Sequence, residues 1–218
     1  MKLIPYLALL TILCLASCQS QENTNQTEPG QAAADTTASA QVTEPQPIDS
    51  AYLISPGERI GKVRIGMPGQ ELEALLGKPD STDAAMGKAL LYWVSETQSR
   101  PQHYLVVYTE ADFGSAKPVP TVKQTQVTSP QFKTADNIST GTPLSEIRRM
   151  YSNLKPLAYY QNEEQQRVYV FDDPQQGIAF EVTLPDSTCT AITVHEKGKA
   201  ITETYLPVHP DITTVQQP

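Results

Sequence analysis

Ile65-Gly66-Met67-Pro68-Gly69-Gln70-Glu71-Leu72 and Ser139-Thr140-Gly141-Thr142-Pro143-Leu144-Ser145-Glu146-Ile147 are two versions of one phrase. Gly66, Pro68, Glu71 and Leu72 in the first have Gly141, Pro143, Glu146 and Ile147 as counterparts in the second. Each phrase reads as a turn that launches a helix. The glycine ends an extended approach, Thr142 is a candidate cap, and proline suits the first helical position. The glutamate lies near the positive pole of the helix. Leu72, Leu75 and Leu76 then fall at helical spacing, as do Leu144, Ile147, Met150 and Tyr151. Gly77-Lys78-Pro79 stops the first helix and Pro156 bounds the second.

After each helix come three runs rich in Val, Ile, Tyr, Phe and Thr. The first set is 88–94, 102–109 and 119–128, and the second is 167–173, 177–183 and 189–196. Asp172-Asp173-Pro174 and Pro185-Asp186-Ser187 are turn signals, and short connections favour antiparallel meanders. The expected class is α+β: two tandem repeats, each a helix on a three-stranded antiparallel meander, joined in one sheet because one such sheet is small. The repeats are bounded at 53–134 and 135–205.

The motif at 65–79, Ile-Gly-Met-Pro-x-x-Glu-Leu-x-x-Leu-Leu-Gly-Lys-Pro, resembles the helical signature of the SmpA/OmlA-type lipoproteins of outer-membrane barrel assembly. The doubled arrangement over about 60–200 also looks like β-lactamase inhibitor protein. The resemblance implies a helix-backed antiparallel sheet that binds proteins without catalysis. The inhibitor family holds each unit with a disulfide that this chain cannot make, and the second phrase lacks the Met and the Leu-Gly-x-Pro ending.

The amino end carries an address. Lys2 precedes an apolar run from Leu3 to Leu15, closed by Leu15-Ala16-Ser17-Cys18. That is the order of a secretory signal, and the run is shorter than the roughly 20 residues of a spanning helix. The closing tetrapeptide resembles the bacterial lipobox, which implies cleavage of residues 1–17 and a diacylglycerol thioether and acyl chain on Cys18. Gln19, where aspartate would resemble an inner-membrane retention signal, leans the expectation to the outer membrane. Residues 18–52 read as the lipidated cysteine and a disordered tether, dominated by Gln, Thr, Ala, Ser, Pro and Asn with no Lys or Arg. A flexible tether of this length reaches about 30 Å. Residues 206–218 read as an extended tail.

The net charge of -8 and pI near 4.9 argue against nucleic acid. With Cys14 in the signal and Cys18 lipidated, Cys189 stands alone and is read as a buried thiol. His103, His195 and His209 are scattered, with no metal-ligand spacing, nucleophile elbow or phosphate loop. Glu163-Glu164 and Asp172-Asp173 read as turn charge. The expectation is no enzyme, no cofactor and no metal.

Strand parity sets the remaining expectation. It turns Val168, Val170, Ile178, Phe180, Val182, Ile192 and Val194 toward the helix, and Tyr169, Phe171, Glu181, Thr193 and His195 away from it. In the first copy it turns Leu91, Trp93, Tyr104, Val106 and Tyr108 inward, and Leu90, Tyr92, Val94, Leu105 and Val107 outward. Tyr92, Val107, Tyr169, Phe171, Glu181 and His195 thus form a candidate protein-binding face on an outer-membrane lipoprotein, with an envelope protein as partner. A small-ligand or lipid carrier using the same face as a groove is the alternative.

Overall fold

The two Gly-x-Pro phrases fold into the same hook. Gly66 and Gly141 take φ of 80° and 88°, a left-handed conformation that favours glycine. Gly66 N–H donates to the Val122 carbonyl (2.8 Å), and Val122 N–H donates to the Met67 carbonyl (2.9 Å). In the second hook, Gly141 N–H donates to the Cys189 carbonyl (2.7 Å), and Cys189 N–H donates to the Thr142 carbonyl (3.0 Å). Pro68 and Pro143 follow as the N-cap residues, with ψ of 142° and 143°. Thr142 does not cap the helix, since its hydroxyl oxygen accepts from Ser139 N–H at 3.0 Å.

This structure, a computed structural model, describes residues 48–95, 102–204, 209 and 211–215. The signal segment, Cys18 and the tether up to residue 47 lie outside the described residues. In chain order the strands are β1 (Leu53–Ser55), β2 (Arg59–Ile60), β3 (Val63–Arg64), β4 (Ser81–Ala85), β5 (Lys88–Val94), β6 (Tyr104–Ala111), β7 (Pro120–Val127), β8 (Lys133–Thr134), β9 (Lys155–Gln161), β10 (Arg167–Asp173), β11 (Ile178–Leu184), β12 (Thr188–His195) and β13 (Thr213–Thr214). The helices are α1 (Gly69–Leu76), α2 (Leu144–Met150) and α3 (Ile201–Thr204).

The expected α+β class is overturned: the protein is mostly β. One nine-stranded sheet runs β13-β9-β10-β11-β12-β7-β6-β5-β4, and a four-stranded sheet runs β3-β2-β1-β8. Neither half is a helix laid on a three-stranded meander. α1 is 8 residues and α2 is 7, and each buries one residue, Leu72 and Ile147. A helix of that length spans about 12 Å and cannot back a sheet. The small sheet and its loops do much of that work. Ile54 and Ile60 from β1 and β2 pack in one core with Ile138, Ile147, Tyr151, Phe180 and Ile192. Residues from both halves of the chain therefore share this core, and removing either half would expose the other.

The extra strands were hidden for physical reasons. β4 is exposed along its whole length, so it shows no buried alternation. β9 contains Pro156, which reads as a stop, yet it pairs with Phe171 beside a bulge near the sheet edge. β13, from the segment read as a tail, pairs with β9 through Thr213 and Thr214.

Candidate binding groove on the far face of the sheet

In an antiparallel sheet, directly paired residues share a face. Pairing therefore sorts every site residue that the sequence singled out. Tyr169 pairs with Val182 and Phe171 with Phe180. Val182 and Phe180 belong to the core beneath α2, and Phe171 is buried in that core with half-buried Tyr169 packed against it. The Arg148 guanidinium of α2 lies 5.2 Å from the Phe171 ring centre. Tyr169 and Phe171 thus face the helix, opposite to the sequence expectation. Val107 also faces inward, fully buried with Leu72 and Met67.

Tyr92, Glu181 and His195 take the other face, here called the far face. Tyr92 pairs with Val106, Glu181 with Val170 and Ala191, and His195 with Gln124. The six candidates therefore do not form one surface. Val168 and Val170, expected inward, lie on the far face under Ile201 of α3. Tyr104, Val106 and Tyr108 are also far-face residues, through pairs with Val94, Gln126 and Gln124. Of the far-face candidates, His195 and Glu181 are buried and Tyr92 is half-buried.

The far face carries two polar clusters. In the first, His195 Nε2 lies 2.9 Å from Asp172 Oδ1, and Nδ1 lies 3.2 Å from the Glu196 carbonyl oxygen. Asp172 Oδ2 accepts from Ile201 N–H at 3.0 Å, and Gln124 Nε2 donates to the Ile201 carbonyl at 2.7 Å. This cluster fastens α3 to β7, β10 and β12. Its groups are consumed by these bonds, and it is structural. Cys189 is buried on the opposite face, so His195 does not reach it. Burial pushes the Cys189 thiol well above its ordinary range, which keeps it protonated and unreactive.

The second cluster centres on Glu181. Its Oε1 accepts from Gln126 Nε2 at 2.8 Å, and its Oε2 accepts from the Tyr160 hydroxyl at 2.7 Å. Gln126 Nε2 also lies 3.2 Å from the Thr193 hydroxyl. Burial, reinforced by the Glu181 charge, pushes the Tyr160 phenol far above its ordinary range, so it stays a donor. The His209 ring stacks on Tyr160 with centroids 3.5 Å apart, and its Nε2 lies 3.4 Å from Glu181 Oε2.

These groups floor an open groove of about 380 Å³, walled by Tyr92, Tyr104 and Val106 on one side and by Thr190 and His209 on the other. Glu163 also lines it, and no Lys or Arg is among its described lining residues. Sequence reading placed Tyr92 and Glu181 here but missed Tyr104, Gln126, Tyr160 and His209. Tyr160 sits on a strand that Pro156 concealed, and His209 sits in the segment read as a tail. Among the described residues, no group of three or more His, Cys, Asp or Glu side chains is placed to hold a metal ion.

No protein-family model and no curated protein matches the chain. Among solved structures, an extracellular protein containing a SCP domain from Bacillus anthracis strain Ames is similar over 61% of this chain, at 12% identity and a TM-score of 0.40. This chain spans only 44% of that protein's length. A DUF4309 family protein from Bacillus subtilis strain 168 is similar over 65% of this chain and 88% of its own, at 10% identity and a TM-score of 0.37.

Proposed function

We propose that this chain is a lipid-anchored protein of the bacterial outer membrane that binds another envelope protein, without catalysis, through the far-face groove. The groove is the observation that carries the reading. It is open to solvent, walled by tyrosines and floored by hydrogen-bonded polar groups. Tyrosine supplies a large, stiff contact area with a polar tip, the chemistry that anchors protein interfaces. Tyr104 is 40% exposed, so its ring is available without unfolding the sheet. Attachment rests on Leu15-Ala16-Ser17-Cys18 and the apolar run before it. The alternative, a small-ligand or lipid carrier, calls for an enclosed apolar cavity, whereas a carboxylate floors this groove.

One experiment tests both parts. The full chain is crosslinked in intact cells, then purified from membranes beside Tyr104→Ala and Cys18→Ser forms. Wild type takes up labelled palmitate and captures a discrete partner. Tyr104→Ala keeps the label and the melting temperature but loses capture by about tenfold or more, the size of effect expected for an anchor tyrosine. Cys18→Ser takes up no label. Equal capture by wild type and Tyr104→Ala would remove the groove from the reading, and an unlabelled wild type would remove the anchor.

A further inference from the structure

We infer that the groove selects a cationic side chain, arginine or lysine, presented by the protein partner. The inference rests on the protein-binding reading of the same groove and specifies what enters it.

Glu181 is the reason. Glu181 is 5% exposed, and a buried carboxylate is costly unless paired and hydrogen-bonded. The donors fixed on it by the sheet, Gln126 and Tyr160, are neutral amide and phenol groups. A carboxylate offers about four acceptor positions, so Gln126, Tyr160 and the nearby His209 ring nitrogen still leave one for a further donor. The wall across the groove includes Tyr92 and the exposed Tyr104, and a guanidinium or ammonium group is attracted to aromatic rings. Glu163 adds a second carboxylate at the exposed rim. With no Lys or Arg among the described lining residues, the groove combines carboxylates with tyrosine side chains.

The chain itself shows how a nitrogen-bearing planar group sits there. His209 stacks on Tyr160 and presents Nε2 to Glu181 at 3.4 Å. A guanidinium offers the same planar stacking surface with more donors in a fixed fork, which suits a carboxylate better than a single ring nitrogen does. The chain's net charge of -8 favours approach of a basic segment.

The probe is N-acetyl-arginine amide, with N-acetyl-citrulline amide as its uncharged counterpart of the same shape, titrated into the full chain in detergent. NMR follows the ring signals of Tyr104, Tyr160 and His209. The arginine probe shifts these signals saturably, and the citrulline probe at equal concentration does not. Glu181→Gln weakens arginine binding by about tenfold or more. Glu163→Gln, at an exposed position that cannot unfold the core, weakens it by a smaller but measurable factor. Indistinguishable titrations with arginine and citrulline overturn the inference, as does arginine binding that ignores both substitutions in folded protein. If Tyr104→Ala abolishes partner capture while the arginine probe fails, the protein-binding reading stands and the cation inference falls. If the arginine probe binds but partner capture ignores Tyr104, the protein-binding reading falls.

Discussion

Phe180→Ala is expected to cost about 3–5 kcal/mol of folding stability. Phe180 is fully buried in the middle of β11. Its neighbours across the sheet are Phe171 on β10 and Ile192 on β12. Above it lies Tyr151, with ring centres 5.0 Å apart and planes at 55°. Cutting the ring to a methyl group removes contacts from β10, β12 and the end of α2 together. The surrounding side chains belong to strands fixed by hydrogen bonds on both sides, so they cannot collapse into the void. Urea denaturation reads the effect as a lower midpoint with an unchanged slope. A loss below about 1 kcal/mol would contradict the placement of Phe180 at the centre of this core.

Asp172→Ala is the second large effect, and it acts through polar groups. Asp172 is 2% exposed and His195 fully buried. The substitution strips His195 Nε2 of its carboxylate partner and Ile201 N–H of its acceptor. Each orphaned buried group costs about 1–3 kcal/mol, so the pair should cost about 2–6 kcal/mol. The damage is local in a way the Phe180 change is not. α3 loses its tie to β10 while the Phe180 core stays filled. Amide hydrogen exchange should therefore accelerate at Ile201 before it accelerates along β11. Uniform acceleration at both places would mean that the Asp172–His195 pair does not fasten α3 specifically.

The contrast between these two residues shows what the sequence could and could not reveal. The Gly-x-Pro hooks were legible because glycine, proline and the helical leucines act over a few residues. The six apolar runs were legible as strands for the same reason. Which way those strands face was not. In β10, Val168 and Val170 are buried on one side, and Phe171 is buried on the other. A strand apolar on both faces has no parity signal, because either assignment buries hydrophobic residues. β6 has the same ambiguity at Val106, Val107 and Tyr108, all buried. β11 and β12 were easier at Ile178, Phe180, Ile192 and Val194, which are buried on the side of α2. Bulges add to the difficulty, with register shifts at Val170/Phe171, Tyr108/Thr109 and Glu181/Val182.

The groove was only partly legible, for a related reason. Its carboxylate lies on β11, one tyrosine on β5, another on β6, a third on β9, and its histidine near β13. Such a site is assembled by the order of strands across the sheet, and strand order depends on long-range pairing that no local pattern encodes. Strand parity put Glu181 on the side of the sheet away from the helix, where it lies. Tyr160 did not, because nothing near it suggests that it will donate to a residue on another strand.

Site-specific photocrosslinking in intact cells tests the groove most directly. A photoreactive phenylalanine, which keeps an aromatic ring at the site, replaces Tyr104 on the far face in one form and Met150, 45% exposed at the end of α2, in another. The far-face position should give a discrete protein adduct that added N-acetyl-arginine amide suppresses, and the α2 position should give none. A discrete adduct at Met150 with none at Tyr104 would contradict the account, because it would place the partner on the face that the helices cover.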